Sequence, residues 1–267
     1  MTTADKLLSV MKLFTIEEPE WTVEEATKRL SLSSSSTYRY FNSLSAFGLV
    51  EALNPGVYTL GPAIIEFDRM IRRQDQLVKT ATPVMRRLVD LTDDSGSTLL
   101  CRKFRHQVMC VHSEGFVDPE KVLSYERGRP LGLFLGAASR VVLAYIPTRN
   151  LKVIFADHEA EIEAAGLGAS WEEFRRNMKQ IRNDSLVVAY GQLDLGKVGI
   201  AAPIFAANKS VIGSITLVLN EHEVNSQMVE RLSIYVQAAA QEVTLGLSAA
   251  FNEKRPGSAG SDSAKPE

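Results

Sequence analysis

Apolar positions along this chain change from a helical to a strand-like period at about residue 97. Up to about residue 47 they recur every three to four residues, the spacing of one helix face; from residue 77 to 91 they form one long seam; from residue 97 strand-like alternation takes over. In the first stretch Leu7, Val10, Met11 and Phe14 predict a helix over 4–14, and residues 17–20, with Pro19, break it. Thr22 and Glu25 form a Thr-x-x-Glu capping box for a second helix, whose buried stripe is Val23, Ala26 and Leu30. After a turn at Ser31 and Leu32, residues 33–44 read SSSSTYRYFNSL. Small hydroxyls able to N-cap a helix come first, then Thr37, Phe41 and Leu44 at i, i+4, i+7. Gly48 suits the left-handed residue that ends such a helix. Two apolar pieces, 49–53 and 57–60, then flank Asn54-Pro55-Gly56, which is turn chemistry for a hairpin. Three helices closed by a hairpin predict a winged helix-turn-helix.

Pro62 suits the first position of another helix, with Ala63, Phe67 and Met70 as its stripe and Arg69, Arg72 and Arg73 towards its end. Leu77, Ala81, Val84, Leu88 and Leu91 follow as a regular seam interrupted by Thr82-Pro83. Because proline removes a helical hydrogen bond, the expected linker helix ends at 82 and a new helix starts at Pro83. Strands are expected at 97–104 and 107–113 around a turn at Arg105-His106, and at 122–125, 186–190, 198–205 and 211–219. Helices are expected at 136–146, 171–182 and 225–251. Strands flanked by helices, without strict alternation, predict an α+β domain on an antiparallel sheet. The expected organisation is a winged helix-turn-helix DNA-binding domain at 1–61, a linker helix at 62–82, an effector-binding domain at 83–252 and a disordered tail at 253–267.

Composition bounds the function. The chain has 267 residues, 45% hydrophobic and 23% charged, enough for two ordinary globular domains. It lacks an apolar run of membrane-spanning length and a signal-peptide pattern, so a soluble cytoplasmic protein is expected, with no membrane partner. Its two cysteines call for no disulfide framework. The net charge of −2 gives no help towards nucleic acid, and the first 75 residues are themselves slightly acidic. Any DNA affinity must therefore come from a local face and from dimer geometry. The helix over 33–44 offers such a face. Opposite its buried side, Ser35, Arg39 and Asn42 share one spacing, with Ser34, Ser36 and Tyr38 beside them. Arg reads guanine edges, while hydroxyls and amides reach bases or phosphates. Asn54, at the hairpin tip, suits the flanking backbone or minor groove. Taken alone, the helix is simply serine-capped and amphipathic; its setting makes it a reader.

Cys101, His106, Cys110 and His112 lie close together, but their spacing matches no CxxC-type zinc pattern. In a hairpin centred on Arg105-His106 the two cysteines fall opposite each other, which would allow a thiol pair or reversible disulfide. Two small residues filling a sheet face is the simpler reading. With no GxSxG elbow, Walker loop or HExxH, the expectation is no enzyme, no metal and no cofactor.

Further motifs fall in a telling order. They are the block 32–44 with its Arg39, Phe47-Gly48-Leu49-Val50, Tyr58-x-Leu60-Gly61, Gly128-Arg129-Pro130-Leu131, Gly136-Ala137-Ala138-Ser139, and GIAAPI at 199–204 followed by 212–219. Together they resemble the IclR family of bacterial transcriptional regulators over nearly the whole chain. The resemblance implies a homodimer or homotetramer on operator double-stranded DNA. It also implies a GAF-like effector domain that holds a small molecule between the helix start at Gly136, Ala137 and Ser139 and the strands bearing Gly199, Thr216 and Val218. Asp194, near those strands, is a candidate to orient a ligand, with a solvated loop carboxylate as the simpler reading. Backbone N–H groups at that helix start favour a carboxylate. Two departures stand out: Ser33 and Ser34 replace the basic residue many relatives carry there, and Gly199 and Val218 stand where relatives often have Cys and Ser. A roomier, less polar pocket follows, suited to an aromatic acid. The rival readings are a metabolite sensor or enzyme with a vestigial DNA-binding domain, and a thiol-based redox sensor through Cys101 and Cys110.

Overall fold

The computed structural model describes residues 2–93, 95–115 and 124–253. It divides into two compact units at Asp75 and Gln76.

In the first unit, α1 (Thr3–Met11), α2 (Val23–Leu30) and α3 (Ser34–Ala46) pack around Val10, Trp21, Ala26, Tyr40, Phe41, Leu44 and Val50. The Thr22–Glu25 box forms as the spacing predicts: Thr22 Oγ1 accepts from the Glu25 N–H at 3.2 Å, and the Glu25 carboxylate accepts from the Thr22 N–H at 3.0 Å. α1 stops at Met11 rather than Phe14 because the next residues turn, and the Leu13 carbonyl accepts from the Trp21 indole N–H at 3.0 Å. The wing is β2 (Val50–Asn54) and β3 (Val57–Leu60), joined through Pro55 and Gly56. A third strand, β1 (Trp21–Thr22), pairs with β3 and was not anticipated, since two residues carry no periodicity. α4 (Ala63–Gln74) follows Pro62, but the stripe expected there is not covered within this unit: Phe67 and Met70 are 48% and 39% exposed.

The chain breaks at Asp75, which is extended, and not at Pro83. α5 (Gln76–Asp90) runs straight through Pro83. The expected boundary at 82/83 is corrected for a physical reason. Pro83 lies on the exposed side, where its missing N–H costs one bond, while Leu77, Ala81, Val84, Met85 and Leu88 are buried on the other. The Thr82 hydroxyl meanwhile donates to the Val78 carbonyl at 2.8 Å. Leu91 falls beyond the helix and is 42% exposed, so it leaves the expected seam.

The second unit is built on a six-stranded antiparallel sheet in the order β6-β5-β4-β9-β8-β7. Its strands are β4 (Ser97–Phe104), β5 (Gln107–Gly115), β6 (Pro130–Leu131), β7 (Val187–Tyr190), β8 (Lys197–Phe205) and β9 (Val211–Asn220). Alternation sends Leu99, Cys101, Ala201 and Val218 to one face and Leu100, Ile200, Ile215 and Leu217 to the other. The first face packs with α6 (Ala137–Ala144), α7 (Thr148–Asp157), α8 (Glu159–Ala164) and α9 (Trp171–Asp184). α5 and α10 (Ser226–Glu253) cover the second. α7 and α8 were not anticipated, although Leu151, Ile154 and Phe155 have helical spacing. Residues 122 and 123 of the expected strand at 122–125 lie outside the described residues, and Ser124 and Tyr125 form a bend. The expected disordered tail also lies outside them, apart from Glu253, which closes α10.

Candidate functional site

The first candidate surface is α3. The Ser33 side chain caps it by accepting from the Ser36 N–H at 3.3 Å, and Thr37, Tyr40, Phe41 and Leu44 anchor its inner side. Ser34, Ser35, Tyr38, Arg39 and Asn42 are exposed on the outer side, and Asn54 is exposed at the end of β2. Ser36 differs. It is half-buried, and its hydroxyl lies 2.9 Å from that of Ser33, so it belongs to the cap more than to the outer face.

The second is the start of α6, where the sequence-predicted effector residues come together with partners that sequence reasoning missed. Gly136 adopts φ 79, ψ 149, a region that suits glycine. A Cβ there would strike Leu193 and lie 2.6 Å from the Tyr125 hydroxyl. Its N–H donates to Gln192 Oε1 at 3.1 Å. The Tyr125 oxygen in turn accepts from the Ser139 N–H at 3.3 Å and lies 3.1 Å from the Ser139 hydroxyl. Burial pushes the Tyr125 hydroxyl well above its ordinary pKa, so it stays neutral. Asp194 is held too. Its carboxylate accepts from the Ser124 N–H at 3.1 Å and from the Ser124 hydroxyl at 2.7 Å. Gln192, Leu193 and Asp194 therefore form a strap across the N-terminus of α6, and the Gly136 and Ser139 N–H groups there are already engaged by the protein.

Beneath lie the two pocket strands. Gly199 pairs with Val218, and Thr216 pairs with Ala201 and Leu99. A Cβ at Gly199 would sit 3.5 Å from the Ala137 Cβ and 3.8 Å from Thr216 Cγ2, ordinary contacts. The side chain missing at Gly199 is thus met by α6, and the space is not left open in this state. Thr216 is 1% exposed, and its Oγ1 has no hydrogen-bond partner among the described residues. A buried hydroxyl without a partner costs about 1–3 kcal/mol. The Thr216 methyl, Cγ2, lies on the Gly199 side of the sheet face.

Of the Cys/His group, Cys101 and Cys110 stand opposite each other across β4 and β5, as the hairpin predicts, and both are free and buried. The four residues do not converge. His106 lies at the hairpin turn, lining a cleft of about 780 Å³ with Lys103, Phe134 and His158. His112 lies 2.9 Å from Glu114 and 3.3 Å from the Thr82 hydroxyl. Gln192 and Leu193 carried one weak sequence signal, a short loop bracketed by Gly191 and Gly196.

A winged helix-turn-helix followed by a domain of this topology defines the class of DNA-binding regulators that carry their own effector module. The profile described as "Bacterial transcriptional regulator IclR C-terminal" matches residues 70–245, and that described as "IclR helix-turn-helix domain" matches residues 3–53. The chain belongs to the IclR family of bacterial transcriptional regulators. It is 23% identical over 243 residues to the HTH-type transcriptional regulator KipR of Bacillus subtilis, covering 91% of this chain and 95% of that protein. Among solved structures, an IclR transcriptional regulator from Alicyclobacillus acidocaldarius superposes with a TM-score of 0.72 at 19% identity, covering 92% of this chain and 98% of that one. An IclR homolog from Microbacterium hydrocarbonoxydans, complexed with 4-hydroxybenzoate, superposes with a TM-score of 0.69 at 19% identity, covering 93% and 100%. No helix among the described residues is long and apolar enough to cross a membrane.

Proposed function

We propose that this chain is a cytoplasmic, non-enzymatic regulator that binds operator DNA as a homodimer or homotetramer and releases or tightens its hold when an aromatic carboxylate binds the second unit. The observation that carries the reading is the division of α3 into a buried Thr37-Tyr40-Phe41-Leu44 side and an exposed Ser34-Ser35-Tyr38-Arg39-Asn42 side. In this reading α3 enters the major groove, Arg39 reads a base edge, and Asn54 touches the flanking backbone. Ile65, Phe67, Met70 and Ile71 on α4 are exposed in the single chain, which supports pairing with a second copy. A second head would offset the weak electrostatic attraction of an acidic one.

For the effector, the carboxylate takes over the Gly136 N–H from Gln192, and the Thr216 hydroxyl gains a hydrogen-bond partner. Gly136, Ala137, Ser139, Gly199, Thr216 and Val218 line the site, and Asp194 holds the strap that must open. The bound 4-hydroxybenzoate of the Microbacterium relative supports an aromatic acid as the ligand class. A ligand shifts operator affinity only by its differential affinity for two arrangements of the protein.

Fluorescence anisotropy on a duplex from upstream of the chain's own gene, against scrambled DNA and across a salt series, tests this. The native duplex should be preferred, and one aromatic acid should shift the preference. Arg39→Ala should lose at least about tenfold in specific binding, the worth of one good base contact, with an unchanged circular dichroism spectrum. Thr216→Val should weaken the response to ligand and leave operator affinity alone. Binding of a small acid without DNA preference at any salt would instead favour a metabolite sensor with a vestigial head.

A further inference from the structure

Cys101 and Cys110 are not used by the reading above, yet three features make them more than core filling. They are directly opposed on antiparallel strands, beside a register shift between Leu100 and Cys101. Opposed residues stand about 4.5–5.5 Å apart at Cα, inside the roughly 4.4–6.8 Å that a disulfide spans, and their side chains leave the sheet on one face. Both thiols are free, and Cys110 Sγ donates to the His112 carbonyl at 3.4 Å. Finally, they are polarised. Donation to Cys110 and burial hold the Cys101 proton firmly in place. Cys110 shifts the other way: the bond from Cys101 lowers it against its burial, and the backbone hydrogen bond at His112 and the nearby Arg127 guanidinium lower it further. Of the two buried sulfurs, Cys110 is thus the one that gives up its proton more readily.

We propose that Cys110 and Cys101 form a dithiol that a small hydroperoxide oxidises to a cross-strand disulfide. The Cys110 thiolate attacks the terminal peroxide oxygen. The O–O bond breaks, the alkoxide or hydroxide leaves and takes up a proton, and Cys110 becomes a sulfenic acid. The Cys101 sulfur then attacks that sulfur. The S–O bond breaks, and the departing hydroxide leaves as water with the Cys101 proton. The two sulfurs give up two electrons and the hydroperoxide accepts two. A cellular dithiol reverses the step by exchange, in keeping with the transient, sensing role of cytosolic disulfides. The bond forms on the sheet face that also buries Tyr125, whose hydroxyl holds the start of α6. The chemistry stands whether or not a carboxylate binds there.

The test is peptide mapping of the reduced full-length protein after treatment with hydrogen peroxide, with alkylation under denaturing conditions. The expected result is loss of both alkylatable thiols, a linked peptide pair joining Cys101 to Cys110 within one chain, and full recovery with dithiothreitol. Cys101→Ser should stop at a sulfenic acid on Cys110 that dimedone traps, and Cys110→Ser should leave Cys101 unmodified by the same dose. Two thiols that stay alkylatable, a link only between chains, or direct passage to sulfonic acid without a linked peptide would overturn the proposal. The wild-type map decides this by itself, whatever the stability of the variants.

Discussion

At the scale of single residues, spacing announced which side chains face outwards, and distant partners settled the rest. Arg39 and Asn42 lie on the exposed side because Thr37, Phe41 and Leu44 are buried opposite, a relation that one helical repeat contains. Ser36 turned back to Ser33 because two short hydroxyls within one turn bond each other as readily as they reach outwards. The pairing of Gln192 with Gly136 could not be read in advance, since it joins positions 56 apart in sequence. The two glycines of the site make a paired prediction. Gly136→Ala places a Cβ against Leu193 and Tyr125 at a positive φ, so unfolding in urea should show a loss of about 1–3 kcal/mol. Gly199→Ala meets only ordinary contacts and should leave stability nearly unchanged, while reducing the room for a ligand. Equal destabilisation by both would show that α6 sits too close to β8 for the site to open there.

At the scale of elements, local chemistry was a sound guide wherever an element carries its own signal. The capping box of α2 is such a case. Thr22→Ala removes the acceptor for the Glu25 N–H and should cost about 1 kcal/mol, read as a lower midpoint for the first unit. Pro83 shows the limit of local rules, because a buried face on α5 outweighs one lost hydrogen bond at an exposed position. The β5 edge carries a pH dependence. Burial by itself would raise the Glu114 pKa, but hydrogen bonds from Arg86 and His112 and their charges outweigh it and hold the carboxyl below 4.5. A folded value below the unfolded one stabilises above the unfolded pKa, and that contribution fades as pH falls through the folded value. Stability should therefore fall as pH drops below the ordinary carboxyl value of about 4.5 and through the lower folded one, and Glu114→Gln should flatten that slope. An identical acid limb in the variant would remove Glu114 from this role.

At the scale of the whole molecule, the two-unit plan was legible from the change of period, but the place of the break was not. Asp75 carries no strong punctuation, whereas Pro83 does, and only tertiary burial tells them apart. The two tryptophans allow the plan to be tested, since Trp21 lies in the first unit and Trp171 in the second. Trp171→Phe and Trp21→Phe each leave one reporter, and their fluorescence should give different urea midpoints, the small head melting first. Coincident midpoints would mean that the units unfold as one. The strap across α6 carries a last consequence. If a ligand must displace Gln192 and Leu193, the chain contains its own competitor, present at a fixed local concentration that dilution cannot lower. The metabolite level at which the switch trips is then the intrinsic dissociation constant divided by the fraction of molecules with the strap open. Substitutions at Gln192 or Leu193 become a dial for that threshold, adjustable without altering the operator it reads or the compound it recognises.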